Sequence, residues 1–402
     1  MYYVTEKQKF AEKQLTWEEV LSGIMEFASE EPGKFNHGTV TKLYTQEELN
    51  EKFLNNHKVN IDKLIKILET FNKEWDCLHK ADKNKLYYTF FIPKKSGGKR
   101  QIDAPNDSLK QALRNLKTIF EKIFGAMYHT SAYAYVPGRC TIDAVRKHQN
   151  MKSNWFLKTD FSGFFPSTTL DYTMKMLSMI FPFSEVIKRE DGERELRKAL
   201  SLGFLNGGLP QGTPLSPMLT NLINIPVDYK IFKELSKRYF VYTRYADDMM
   251  VSSVTNFRYQ TVIDIINGVL KEFDAPYVIK PEKTKFGSRK GKNWCLGVML
   301  NKDNEITIGH ERKKIFKAMI NNFILDEKCG KSWHSSNVQK LAGLLSYYRM
   351  VERDYFDYVI RHMEQKYNVN FFELLKKEYV ACVTDVPFVD NETIDVEPDW
   401  FF

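Results

Sequence analysis

The chain has 402 residues, 43% of them hydrophobic and 27% charged, with a formal net charge of +8 at pH 7. That length allows two or three domains with cores of their own, and the positive balance leans toward a polyanionic partner. Cys77, Cys140, Cys295, Cys329 and Cys382 fall in no CxxC or Cys/His pattern, which argues against a zinc site or a disulfide framework and for a reducing compartment. No apolar run reaches the ~18 residues needed to cross a bilayer, and the N-terminus has no apolar signal core, so a cytoplasmic location is expected.

Residues 1–85 are expected to be helical. Thr16-Trp17-Glu18-Glu19 and Thr45-Gln46-Glu47-Glu48 have the form of capping boxes, in which the Thr hydroxyl and the later Glu satisfy free amides at a helix start. Pro32-Gly33 breaks the first helix, and Ile61, Leu64, Ile65, Leu68 and Phe71 stripe a later one at helical spacing. From Phe90 to Pro105 two apolar stretches flank Ser96-Gly97-Gly98, a hairpin whose tip and shoulders carry Lys94, Lys95, Lys99 and Arg100. Such a run is usually a soluble turn; beside a carboxylate-metal site it can hold the charge of a nucleoside triphosphate. Leu109 to Met127 has the spacing of an amphipathic helix with Lys110, Arg114, Lys117 and Lys122 interspersed. In the turn Val136-Pro137-Gly138-Arg139, a phosphate-binding fork and an exposed turn residue are equally good readings of Arg139.

Two stretches carry the chemistry. Asn154 to Thr159 is an apolar strand that runs into Asp160, and Gly163, Phe164, Phe165 and Pro166 end it. Tyr242 to Ser253 reads as two short strands joined by a tight turn, with Asp247 and Asp248 at its tip. An isolated Asp-Asp turn is usually a solvated hairpin tip. Three carboxylates from two strands are a different matter: they repel one another, and Mg²⁺ prefers oxygen ligands and brings substrate phosphates as the rest of its shell. Between the two stretches, Arg189 to Arg194 reads as a charged loop. Leu209 to Pro217 then fixes an irregular path into an apolar helix starting near Ser216, with Gln211 in no obvious capping position.

Beyond these, Val278 to Phe286 and Trp294 to Asn301 have strand character. From His310 the pattern is helical, with Arg312, Lys313, Lys314 and Lys317 on the first helix and Leu341, Leu344, Leu345 and Tyr348 in an apolar series. Three helices carrying basic residues suit phosphate contacts along a duplex, although any single Lys is more simply a solvated one. After Val383 the chain has Asp385, Asp390, Glu392, Asp395, Glu397 and Asp399 with no Lys or Arg, a composition that avoids nucleic acid. Gly330-Lys331-Ser332 lacks the earlier Gly of a phosphate loop, and eight scattered His give no Ser-His-Asp arrangement.

In order and spacing these blocks resemble the palm of a reverse transcriptase, and more narrowly the bacterial retron, group II intron and phage-defence lineages. The resemblance implies an α+β right-hand polymerase: an N-terminal helical extension (1–85), fingers and an antiparallel palm sheet (86–308), a helical thumb (309–380) and an acidic tail (381–402). It implies RNA-directed DNA synthesis with Asp160, Asp247 and Asp248 as the catalytic residues, and with these and Phe161 at two Mg²⁺ ions, for which Mn²⁺ is a substitute. Lys94 or Lys95, Arg100, Phe164, Phe165 and Gln211 would contact the dNTP. Phe165 would lie beneath the sugar as a gate against a 2′-hydroxyl, unless it is a plain core residue. Arg139, Tyr245, Lys283, Gly297, Lys313 and Lys317 would contact template or primer. The implied partners are a structured noncoding RNA template, its cDNA product and dNTPs, with no membrane; a homo-oligomer or a neighbouring effector protein stays open. Asp143 to His148 stands where retrons usually have Asn-Ala-x-x-His, and Trp294-Cys295-Leu296-Gly297 where they have Val-Thr-Gly. These departures favour the looser group of defence-associated enzymes. A non-catalytic RNA-binding module on the same scaffold would need none of Asp160, Asp247, Asp248, Gln211 and Arg100 together, and Phe165 speaks against an RNA-dependent RNA polymerase.

Overall fold

The computed structural model describes residues 61–93, 97–124, 128–290 and 294–384. The capping boxes at Thr16 and Thr45, Pro32-Gly33, Lys94, Lys95 and the acidic stretch from Asp385 lie outside the described residues. Two units emerge. One holds the described residues up to Cys140 with Leu157–Ser253 and Phe257–Phe286; the other holds Thr141–Phe156, Val254–Asn256 and the chain from Gly287 onward.

In the first unit the helix Ile61–Glu74 buries Leu64, Ile65, Leu68 and Phe71, as their spacing requires, and packs on the helix Glu190–Ser201. The start of that second helix is where the sequence suggests a charged loop. Its charges belong to a helix start instead: Glu190, Asp191 and Glu193 occupy the first turn, where the helix dipole favours anions, and Arg189 pairs with Asp62 and Asp191. Gly192 is there for packing, since a Cβ would stand 2.2 Å from the Val186 carbonyl oxygen.

β1 (Tyr87–Pro93) and β2 (Lys99–Pro105) form the expected antiparallel hairpin, in register from Tyr87↔Pro105 to Pro93↔Lys99, with Gly97 and Gly98 in left-handed conformations. The helix Asp107–Phe124 follows, capped by Asn106 and burying Leu109, Ala112, Leu113, Leu116 and Phe120. Each such Leu contributes about 1.5–3 kcal/mol of burial free energy.

The central sheet contains β3 (Trp155–Ser162), β4 (Val241–Tyr245), β5 (Asp248–Ser253) and β6 (Val278–Ile279), ordered β4-β5-β3-β6. β4 and β5 pair antiparallel, as do β3 and β6. The helix Ile225–Ser236 packs on β4 and on the helix Tyr259–Glu272, and with Leu215–Ile223 these helices bury Leu219, Leu222, Ile223, Ile231 and Ile266 completely.

β7 (Lys285–Ser288) ends at the second unit. There β8 (Trp294–Cys295), β9 (Val298–Leu300) and β10 (Ile306–Thr307) make an antiparallel sheet of order β10-β9-β8, against which the helix Thr141–Asn150 lies. Three helices follow, His310–Lys328, Ser335–Tyr367 and Phe371–Thr384. The middle one kinks at Glu352, whose carboxylate accepts from the Ile308 amide (2.9 Å) and the Thr307 hydroxyl (3.0 Å) and pairs with Lys313. Among the described residues no helix is long and apolar enough to cross a membrane.

Candidate active site

Tyr245 and Asp248 are partners in the β4–β5 register, so Ala246 and Asp247 make the whole turn, and Ala246 takes φ +55°. A two-residue turn needs such backbone to match the twist of its strands. β3 lies beside β5, and the Phe161 amide donates to the Asp247 carbonyl at 3.1 Å, which joins the two carboxylate-bearing segments through the backbone. Asp160 is 2% exposed; its Oδ2 is taken by the Lys283 ammonium, while its Oδ1 is buried with no hydrogen-bond partner. Lys283 is brought there by the 3₁₀ turn Pro281–Lys283, which begins as the Lys280 amide bonds to the Asp160 carbonyl at 3.1 Å.

The carboxylates feel one another. Burial pushes the Asp247 carboxyl above the usual range and Asp160 adds to this, while Lys283 and Arg100 pull it back. Asp248 is pushed up to about 7, first by the protein crowded around it and then by Asp247 and Asp160. Its residue keeps an exposed face at the hairpin tip, so water offsets part of the first effect. Arg100 is exposed on β2.

The remaining expected residues divide. The Phe165 carbonyl accepts from the Leu209 amide (3.1 Å), and the Gln211 carbonyl from the Asp103 amide (2.8 Å), so the Leu209–Pro217 block is tied to both the β3 end and the β1–β2 hairpin. Gly212, at φ +117°, permits that approach, since a Cβ would meet Ile102 at 2.9 Å. Phe165 is half-buried. Phe164 departs from the expectation of a nucleotide contact: its ring is buried among Phe161, Tyr277 and Phe165, beneath the site. The Phe161 ring is buried in the same cluster, which leaves it only its backbone for the site. Tyr245 is half-buried at the end of β4.

Arg139 is half-buried. Its Nη1 donates to the carbonyls of His129 (2.7 Å) and Ala132 (2.6 Å), closing its own loop. Lys283, expected to contact template or primer, pairs with Asp160 in this structure. Gly297, Lys313 and Lys317 belong to the second unit. There Arg312 donates to the Gly297 carbonyl, Lys313 is engaged by Glu352 and lies 4.3 Å from the Tyr355 ring centroid, and Lys317 is exposed.

Oxygen-only donors, one of them a buried oxygen with no partner, suit a hard divalent cation. Among the described residues no three His, Cys, Asp or Glu side chains converge on one ion position.

Carboxylates gathered at the ends of neighbouring antiparallel strands, with a cationic hairpin acting on them, define a nucleotide polymerase with a right-hand palm. Comparison specifies which kind: the chain belongs to the reverse transcriptase (RNA-dependent DNA polymerase) family, whose model matches residues 92–309, more than half of the chain. It is 26% identical to the retron Ec83 reverse transcriptase of Escherichia coli over 76% of this chain and 94% of that protein, and 26% identical to the retron Ec73 enzyme over 71% and 87%. The retron Mx65 enzyme of Myxococcus xanthus is also 26% identical, over 66% and 61%. Among solved structures, telomerase from Candida albicans with a fragment of telomeric RNA is a distant likeness, with TM-score 0.41 and 13% identity, covering 80% of this chain and 63% of that one. The protein is thus an RNA-directed DNA polymerase similar to the retron enzymes, and its family implies an RNA template as partner and dependence on a divalent metal. The likeness to retron enzymes holds across both departures; Asp143 meets Arg146 at 3.1 Å, and His148 is buried against Phe156.

One group near the site escapes a reading from sequence. Arg244, within Tyr-Thr-Arg-Tyr-Ala-Asp-Asp, is fully buried beneath the turn with Asp228. The signal for it was present only as a lone Arg inside an otherwise apolar strand.

Proposed function

We propose that this chain copies a dedicated, structured noncoding RNA into DNA by two-metal nucleotidyl transfer, in the cytoplasm and in the service of antiphage defence. The observation that carries the chemistry is the partnerless, buried Oδ1 of Asp160 beside the Asp247–Asp248 turn. In this reading Asp160 and Asp247 hold the ions, with Asp248 and the Phe161 backbone assisting. Two Mg²⁺ ions, or Mn²⁺ in their place, would supply activation of the primer 3′-hydroxyl and charge relief for the departing pyrophosphate. The chain's own residues position the reactants: Arg100 with Lys94 or Lys95 holds the triphosphate, Gln211 supports sugar and base, and Phe165 excludes a 2′-hydroxyl. Residues 86–308 serve as fingers and palm, 309–380 as thumb, 1–85 as a packing extension and 381–402 as a tail that avoids nucleic acid. Lys317 on the thumb and the Gly297 turn supply contacts to the duplex.

Support for RNA as the template comes from the match to the RNA-dependent DNA polymerase family over residues 92–309. The test is to purify the protein from its native host with its bound nucleic acid and sequence that material with and without RNase and DNase. A single structured RNA with complementary DNA, the DNA missing from an Asp247→Ala preparation, supports the reading. RNA without DNA in both preparations favours a binding module.

A further inference from the structure

The left-handed backbone at Ala246, which presents Asp247 and Asp248, is disfavoured for any residue with a Cβ and persists only where its surroundings impose it. Arg244 imposes it. Its Nη1 donates to the Ala246 carbonyl at 3.0 Å, while Nε donates to Asp228 Oδ1 (2.9 Å) and Oδ2 (3.1 Å) and Nη2 to Oδ2 (2.6 Å). Both side chains are 1% exposed, and the Tyr242 hydroxyl donates to Asp228 Oδ1 at 2.9 Å. The Arg244 backbone is held as well, its amide donating to the Ser131 carbonyl (2.6 Å) and its carbonyl accepting from the Tyr133 amide (2.9 Å). Its guanidinium carbon stands 5.9 Å from the ring centroid of Phe164, which stacks on Phe161, the neighbour of Asp160. One buried cation thereby bonds to the turn that carries Asp247 and reaches the Asp160 segment through the Phe164 ring.

A buried ion pair is weak as a source of stability, because apolar side chains of similar volume do as well or better. What apolar residues cannot supply is a donor aimed at one carbonyl. We infer that Arg244, oriented by Asp228, is a positioning residue: it fixes the Ala246 turn and so the separation of Asp160 and Asp247 at which a divalent ion binds. The inference rests on the metal-site reading above and extends it to two residues that touch neither metal nor substrate. The pair is neutral overall and acts through geometry.

The test uses the full chain, with Mn²⁺ binding followed by electron paramagnetic resonance, and primer extension on RNA at varied Mg²⁺. Arg244→Lys keeps a cation for Asp228 but lacks the planar fork that also reaches Ala246. Its Mn²⁺ affinity is expected to fall by roughly 10- to 100-fold, the range for residues that orient metal ligands. The Mg²⁺ needed for half-maximal synthesis is expected to rise in parallel, with KM for dNTP little changed. Adding Ala246→Gly should restore part of the affinity, since glycine adopts positive φ freely; an arginine that merely stabilises the fold would not be rescued at that position. If Arg244→Lys does not fold, the double variant Arg244→Met/Asp228→Leu leaves no stranded charge, and it is expected to be stable yet to show the same loss of Mn²⁺ affinity. A folded variant of either kind with parental Mn²⁺ affinity and Mg²⁺ dependence overturns the inference. If the parent chain binds Mn²⁺ no better than Asp160→Asn/Asp247→Ala does, the metal-site reading fails, and the inference with it.

Discussion

Lys283 and Asp160 form an ion pair between unequal partners: the carboxylate is 3% exposed and fixed in the sheet, whereas the ammonium is 52% exposed on a short turn. The hydrogen bond to Asp160 raises the Lys283 pKa, against the cost of burial, and the charges of Asp160, Asp247 and Asp248 raise it further. The lysine is therefore a counter-cation for the whole carboxylate group and the partner able to move when a divalent ion arrives. Lys283→Met should lower the thermal midpoint in EDTA by no more than a few degrees, as partly exposed pairs contribute about 1 kcal/mol or less. It should also enlarge the gain in midpoint on adding Mg²⁺. An identical gain in parent and variant would show that Lys283 does not stand in for the metal.

Phe165 tests the sugar gate. Its backbone bond to Leu209 survives truncation of the ring, so Phe165→Val is expected to fold and to raise ribonucleotide relative to deoxynucleotide incorporation by at least about tenfold, a shape effect of the size pockets achieve. Single-nucleotide extension on an RNA template measures the ratio. Unchanged discrimination would make Phe165 a core residue only.

Gly192→Ala tests whether glycine is required by packing. The added Cβ would meet the Val186 carbonyl at 2.2 Å, and overpacking of this sort costs about 1–3 kcal/mol. Urea unfolding should show a lower midpoint with the same slope. A stabilised variant would mean that the helix gains from losing a glycine more than it loses to the clash.

In the second unit Glu327 has one carboxylate oxygen without a partner and faces Glu378; burial, then the Glu378 charge, raises its pKa. A carboxyl whose folded pKa lies above its unfolded one takes up a proton on folding. Its unfavourable contribution is absent below the usual glutamate range and grows as pH rises through the folded pKa. Glu327→Gln should therefore raise the thermal midpoint at neutral pH, with parent and variant converging near pH 4, a glutamate's ordinary range. A gain that stays constant with pH would assign the effect to something other than this carboxyl.

The hairpins and the carboxylate sites were legible in the sequence because alternating apolar residues around Gly97-Gly98 and Ala246-Asp247 state both the strands and the turn. The charged segment at Arg189 was not. Composition marks it as a loop, and only the meeting of Gly192 with Val186 and of Leu196, Ala199 and Leu200 with the core shows a helix. Cations were the least legible class. Arg139, Lys283 and Lys313 read as nucleic-acid contacts by type, yet each has a partner inside the chain, distant in sequence for Lys283 and Lys313 and near for Arg139. Arg244 was hidden for the opposite reason, since a buried arginine is recognised only once Asp228 is seen beside it.

The most direct measurement is primer extension with dNTPs and Mg²⁺ on a primed RNA template, comparing the parent chain with Asp247→Ala after circular dichroism shows both folded. Loss of one carboxylate from the group should reduce synthesis by at least about 100-fold, because Asp160 and Asp248 alone would not hold the divalent cations that offset the charge of the reacting phosphate. Synthesis by Asp247→Ala at the parental rate would contradict the assignment of this turn as the polymerase centre.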